Sequence, residues 1–137
     1  MGLYLNPNAD AFMEDKGTRI YVDKSLLIRE LNSIVSTKED FVCLSRPRRF
    51  GKSMAGNMIS AYYSKGCNTR EVFSQMKLGQ EPGFDKYLNK FNVIKLDLNE
   101  LYQNAKKKNE HATLIAQIEE RVVEEFKEQF TNIDLEK

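Results

Sequence analysis

Apolar residues in this chain fall into short clusters separated by charged or turn-forming stretches, and the spacing inside each cluster predicts its element. Leu27, Ile28 and Leu31 recur at i, i+1, i+4, which places them on one helical face. Asp23 stands where an N-cap belongs, so the pattern predicts a helix from about Asp23 to Ser33. Ahead of it, Arg19–Val22 reads as a short extended segment. Phe41-Val42-Cys43-Leu44 is a continuous apolar run rich in β-formers, the pattern of a strand covered on both faces. Met54, Met58, Ile59 and Tyr62 then lie at helical spacing. They predict a helix from Lys52 to about Ser64, ended by the Lys65-Gly66-Cys67-Asn68 signal.

Residues 69–90 carry short helical patterns broken by Gly79 and by Pro82-Gly83. Phe91–Leu98 is the second strand candidate, and Lys106-Lys107-Lys108 reads as an exposed, solvated turn. Over Glu110–Phe130, Leu114, Ile118, Val122, Phe126 and Phe130 repeat every four residues, with Glu and Lys opposite. That predicts an amphipathic helix with its stripe in the core.

The alternation of helices and strands predicts an α/β fold with parallel strands joined by right-handed crossovers. Two strands and three long helices make only an incomplete three-layer α/β/α arrangement, since such sheets usually have about five strands or more. Residues 1–137 are therefore expected to form the N-terminal portion of a single domain. Its uncovered strand edges predict marginal stability or self-association.

Composition narrows the function classes. A hydrophobic fraction of 41% supports a packed core and excludes global disorder. The 21 basic and 20 acidic residues nearly cancel, so any electrostatic case for nucleic acid must be local. Cys43 and Cys67, with His111 as the single histidine, are too few for a zinc site. They read as a reduced core thiol and an incidental loop thiol. No apolar run approaches the about 20 residues of a membrane-spanning helix. The N-terminus fits neither a secretory signal nor the myristoylation pattern, so the expected setting is soluble and cytoplasmic, with no membrane partner.

The chemistry concentrates in Ser45–Ser53. Set against G-x-x-x-x-G-K-[ST], Gly51, Lys52 and Ser53 match, whereas Arg46 replaces the first glycine. Gly51 permits a turn forbidden to bulkier residues and a close approach to phosphate. Lys52 supplies charge to the β- and γ-phosphates, and the Ser53 hydroxyl can coordinate Mg²⁺. The N–H groups of the following helix turn point at the anion. An apolar strand before the loop and an amphipathic helix after it give the motif its context, that of a variant Walker A, or P-loop, nucleotide site. Arg46, Arg48 and Arg49 add charge where such loops have small residues. They either attract phosphate or nucleic acid, or pair with carboxylates and solvent. Phe50 is expected to pack against the domain body. The expected ligands are ATP and Mg²⁺, with Arg48, Arg49, Phe50, Gly51, Lys52 and Ser53 at the nucleotide and Ser53 at the metal.

Three segments occur together in order: Tyr21-Val22-Asp23-Lys24-Ser25, then Ser45-Arg46-Pro47-Arg48-Arg49-Phe50-Gly51-Lys52-Ser53, then Asn92-Val93-Ile94-Lys95-Leu96-Asp97. On these the chain resembles the N-terminal part of the bacterial AAA-ATPase-like proteins. The resemblance implies a P-loop ATPase fold, often followed by a restriction-endonuclease-like nuclease domain, and it makes Arg46 a feature of the family pattern. It gives no role to Asp23 or Lys24; Asp23 otherwise reads as a helix N-cap.

Hydrolysis needs an acidic residue at the end of a second apolar strand. Asp97 is the nearest candidate, as a Mg²⁺ ligand or simply as the polar end of its strand. In the family the acidic strand lies further downstream. The sequence thus predicts nucleotide binding by a chain without a clear Walker B acid, part of an ATPase when complete but not hydrolytic alone. The alternatives are a nucleic-acid-binding module using Arg46, Arg48, Arg49 and Lys52, and a regulatory P-loop protein without activity.

Overall fold

A computed structural model describes residues 2–47, 49, 51–109 and 111–131. Its helices are α1 (Asp10–Lys16), α2 (Leu26–Ile34), α3 (Lys52–Tyr63), α4 (Arg70–Ser74), α5 (Leu98–Lys108) and α6 (Leu114–Gln129). Two 3₁₀ turns, Lys77–Gln80 and His111–Thr113, separate some of them. The expected α3 starts at Lys52 as the pattern required, and α6 begins four residues after the predicted Glu110, which lies outside the described residues. Helix α1 had no apolar periodicity to announce it. It forms because Asn8 Oδ1 accepts the Asp10 N–H at 3.2 Å and because Phe12 is buried in the core.

The α/β expectation is corrected: among the described residues the chain is helical and forms no sheet. Bridges are limited there to an antiparallel one at Leu5–Ile94 and a parallel one at Ser64–Phe91. The physical reason is that an apolar run becomes a strand only when its N–H and C=O groups meet a neighbour over several residues. Phe41–Leu44 meets none, and Phe41 is 97% exposed. Cys43 is correspondingly exposed, not a core thiol. The Phe91–Leu98 run divides its hydrogen bonds between two unrelated segments. The Phe91 N–H donates to Tyr63 O at 2.9 Å and its carbonyl accepts from Lys65 N at 2.9 Å. Asn6 N then donates to Val93 O at 2.7 Å, and Lys95 N to Tyr4 O at 2.9 Å. Neither pairing lasts long enough to propagate a ladder. At Asp97 the chain turns into α5, so Lys106–Lys108 form its last turn, where cations suit the helix dipole.

Helix α3 is the axis of the core. Met58, Ala61, Tyr62 and Tyr63 are buried from it against Phe12 of α1, Ile28 of α2, Phe73 of α4 and Leu78 of the first 3₁₀ turn. Phe12 stacks on Phe73 with centroids 5.2 Å apart, and Tyr62 meets Phe73 edge-on at 5.4 Å. Burying each such ring stabilises the fold by roughly 1.5–3 kcal/mol. The phenol hydroxyls that accompany them are satisfied. Tyr62 Oη accepts from Asn32 Nδ2 at 3.0 Å and donates to Phe84 O at 2.6 Å, while Tyr63 Oη donates to Asn32 Oδ1 at 2.6 Å. Burial pushes both phenols up, so they remain neutral donors.

The C-terminal end of α3 is closed by Asn89. Its Nδ2 lies 3.0–3.2 Å from the carbonyls of Ala61, Tyr62 and Ser64, and its backbone N–H donates to Tyr62 O at 2.7 Å. These are carbonyls that the helix itself leaves without partners. The left-handed φ of 54° at Asn89 is one that asparagine tolerates better than most residues.

The N-terminal segment is tied to α6 through Glu125. Its carboxylate accepts the backbone N–H groups of Leu3, Tyr4 and Leu5 at 2.9, 2.9 and 2.7 Å. Gln129 adds a bond from Nε2 to Leu5 O at 2.9 Å. The apolar stripe of α6 is only half-buried, and Ile115 and Val123 are exposed.

Candidate functional site

Gly51 is the hinge from which α3 starts. At φ 78° and ψ 30° it occupies the left-handed region, which glycine enters without the steric penalty of a Cβ. Its carbonyl accepts the Ala55 N–H at 2.9 Å, the first bond of the helix. The N-cap has no side-chain hydrogen bond, so the first-turn N–H groups face outward from the helix end, where the macrodipole favours an anion. Lys52 and Ser53 are the first two helical residues, and both are exposed.

Arg49 also has a left-handed φ, 67°, a conformation that costs a residue with a Cβ roughly 1–2 kcal/mol. Arg49 and Gly51 are thus two left-handed positions of the loop, two residues apart. The cleft it edges has a volume of about 300 Å³ and is lined by Arg49, Gly51 and Lys24 together with Tyr21, Met54 and Met58. That is the low end of the size range of small-molecule sites, and the combination of apolar walls with a few placed charges is typical of them. Arg48 and Phe50, both expected at the nucleotide, lie outside the described residues. Arg46, Lys52 and Ser53 are exposed and do not line the cleft.

Sequence reasoning gave no place in the site to Lys24, yet the fold brings it there. A Cβ built on Gly51 would sit 3.0 Å from Lys24 Nζ. The segment before α2 reaches the loop because its next residues are pinned on the other side. Asp23 Oδ1 accepts Ser25 N–H at 2.8 Å and Asp23 Oδ2 accepts Lys77 N–H at 2.8 Å, while Ser25 Oγ accepts Leu78 N–H at 3.0 Å. The N-cap of α2 is thus Ser25, not Asp23 as the pattern suggested; Asp23 closes the turn ahead of the helix and anchors it to the 3₁₀ turn. That turn is itself seated tightly, because a Cβ at Gly79 would meet Ser74 O at 2.2 Å. Partial burial works to raise the Asp23 carboxyl. Hydrogen bonds from Ser25 and from the Lys77 N–H, with the Lys77 charge, outweigh it and hold the carboxyl below its ordinary value. Tyr21 is pushed up, first by burial and then by the charges of Asp23 and Asp15, so its ring enters the cleft wall as a neutral phenol. The signal for Lys24 was its place in Tyr21–Ser25, but the contact spans 27 residues of sequence and no spacing rule predicts it.

Asp97 is placed elsewhere. Its carboxylate accepts the Glu100 N–H at 3.0 Å as the N-cap of α5, and it lines a second cleft with Lys95, Leu101 and Arg121. Among the described residues no group of three or more His, Cys, Asp or Glu side chains could hold a metal ion. Ser53 Oγ is one exposed oxygen at the helix start. That donor suits Mg²⁺ only in company with phosphate oxygens and water, the usual coordination of this ion in nucleotide sites. Cys67, half-buried, donates to Pro7 O at 3.2 Å, and burial raises its thiol.

No helix among the described residues is long and apolar enough to cross a membrane. A model of the family described as predicted AAA-ATPase matches residues 11–137. No curated protein and no solved structure matches the chain.

Proposed function

The chain belongs to the AAA-ATPase-like family, and from that premise we propose that it binds ATP at the start of α3 through a variant Walker A loop. One observation carries this reading: left-handed Gly51 opens the N-terminus of α3 beside a cleft that has cations at its edge and apolar walls. The polyphosphate would lie over the first-turn N–H groups, with Lys52 as a point charge on the β- and γ-phosphates. Mg²⁺ would enter with the nucleotide, and Ser53 Oγ would supply one of its oxygens. The ion contributes charge neutralisation between the phosphates when bound. The base would face the Tyr21 and Met54 side of the cleft. Arg48 and Phe50 belong to the proposed nucleotide-binding set by their position in the motif.

Binding, not hydrolysis, is the proposed activity of this chain. Hydrolysis requires an acid to hold the metal and orient water, and the Asp97 carboxylate is engaged at α5. Within a complete ATPase the site would serve hydrolysis with acidic groups contributed from elsewhere.

Calorimetric titration of ATP–Mg²⁺ into the chain and into Lys52→Ala tests the reading. The expected result is a loss of about tenfold or more in affinity for the variant. Equal affinities would remove the phosphate role of Lys52. The nucleic-acid alternative rests on the basic residues of Arg46–Lys52 and predicts DNA affinity that falls steeply with salt; ATP binding that survives in high salt while DNA binding is undetectable would decide against it.

A further inference from the structure

We infer that Lys24 is a second phosphate-binding cation of the nucleotide site, supplied by the segment before α2 and held over the loop by the Asp23 anchor. The inference rests on the nucleotide reading of Ser45–Ser53 and adds to it a residue distant in sequence.

Three observations carry it. Lys24 Nζ stands 3.0 Å from where a Cβ of Gly51 would be, so the ammonium lies against the one loop position that lacks a side chain. A Cβ there would press on the ammonium and shift it. The glycine therefore has two uses, the left-handed turn and the space through which a lysine reaches the helix end. Second, Lys24, Arg49 and Gly51 line the same cleft beside the start of α3, so the ammonium stands next to the helix end over which the polyphosphate would lie. Third, the backbone on either side is fixed. Asp23 is held by Ser25 and Lys77, and Ser25 is fully buried and bonded to Leu78. A lysine on such a base gives up less freedom on binding than one on a mobile loop. Two ammonium groups, Lys24 and Lys52, would then reach the phosphates from different elements, the pre-α2 segment and α3. An anion bridging them couples the loop to the body of the protein through Asp23.

This arrangement predicts selectivity for the length of the phosphate chain. Lys24 adjoins Gly51, whose position in the motif serves the β-phosphate, so ATP and ADP should use it and adenosine should not.

The experiment is titration of ATP–Mg²⁺, ADP–Mg²⁺ and adenosine into the chain, Lys24→Met, Lys24→Arg and Lys52→Ala, with melting temperatures recorded for each. Lys24→Met is expected to weaken ATP and ADP about tenfold, to leave adenosine unchanged, and to be restored in large part by Lys24→Arg. If Lys52→Ala weakens ATP and Lys24→Met does not, the inference fails and the nucleotide reading stands. If neither variant matters, both fail. Should Lys24→Met melt early, the unsubstituted chain supplies a second measurement. Acetylation of Lys24 by an amine-reactive reagent, followed by mass spectrometry, should slow severalfold in ATP–Mg²⁺ and not in adenosine. Equal labelling rates in the two would overturn the assignment.

Discussion

The Asp23 carboxylate accepts the backbone N–H of Lys77 at 2.8 Å across 54 residues of sequence, and this bond joins the segment that carries Lys24 to the wall of the core. Asp23→Ala should lose about 1–3 kcal/mol, because two backbone donors lose their acceptor. The folded carboxyl lies below its ordinary value of 3.8. Its contribution is therefore present above that value and disappears as pH falls through the folded pKa. Urea unfolding at neutral pH and near about pH 2 would check this: the gap between the chain and Asp23→Asn should be wide at neutral pH and close in acid. A gap of constant size would show that the charge is not involved.

Gly51→Ala places a Cβ on a residue at φ 78° and against Lys24 Nζ. Roughly 1 kcal/mol of destabilisation is expected from the backbone alone, together with weaker ATP binding. Thermal melting and calorimetry report the two effects separately. Unchanged stability would mean that the loop is not held in the left-handed conformation.

Asn32 bridges the hydroxyls of Tyr62 and Tyr63. Asn32→Ala should cost about 1–3 kcal/mol, since it leaves two core hydroxyls short of a partner. In a double-mutant cycle with Tyr63→Phe the losses should fall short of additive. Strict additivity in urea unfolding would dissolve the network.

Glu125 gathers the N–H groups of Leu3, Tyr4 and Leu5 on one carboxylate. In Glu125→Ala these three amides should lose hydrogen-exchange protection, while those of α3 keep theirs. Global stability should fall by about 1–2 kcal/mol. Protection that persists at Leu5 would mean another acceptor holds the segment.

Phe41 is 97% exposed, so Phe41→Asp should alter melting free energy by no more than about 0.5 kcal/mol. An apolar β-forming run without a ladder is also a surface on which a second copy of the chain can pair. Sedimentation should show concentration-dependent association that Phe41→Asp reduces. A monomer at all concentrations would assign the run no role in contacts between copies.

The helices were legible where a local signal sufficed. The Met54–Tyr62 spacing and the Gly51-Lys52-Ser53 start placed α3, and the stripe ending at Phe130 placed α6 to within a few residues. The strands were misread because apolar β-formers give propensity but not partners. Phe41–Leu44 carries the composition of a buried strand and meets no neighbour among the described residues, while Phe91–Leu98 is shared between two short pairings. Asp97 shows the same limit in one residue. As a strand end it suggested a metal ligand, but three positions later Glu100 offers an N–H, and the side chain takes the helix-capping role. The turn at Gly51 and the helix start at Lys52 were readable from the sequence. Neighbouring Lys24 was not, because the contact depends on the Asp23–Lys77 bond.

Asn89 gives α3 a mechanical character. The C-terminal end of the helix is bolted through its carbonyls to Asn89 and through its backbone to Phe91, whereas the N-terminal end leaves the body on a single glycine. The helix is thus tied at its rear by several hydrogen bonds and along its length by the buried face that packs on Phe12 and Phe73.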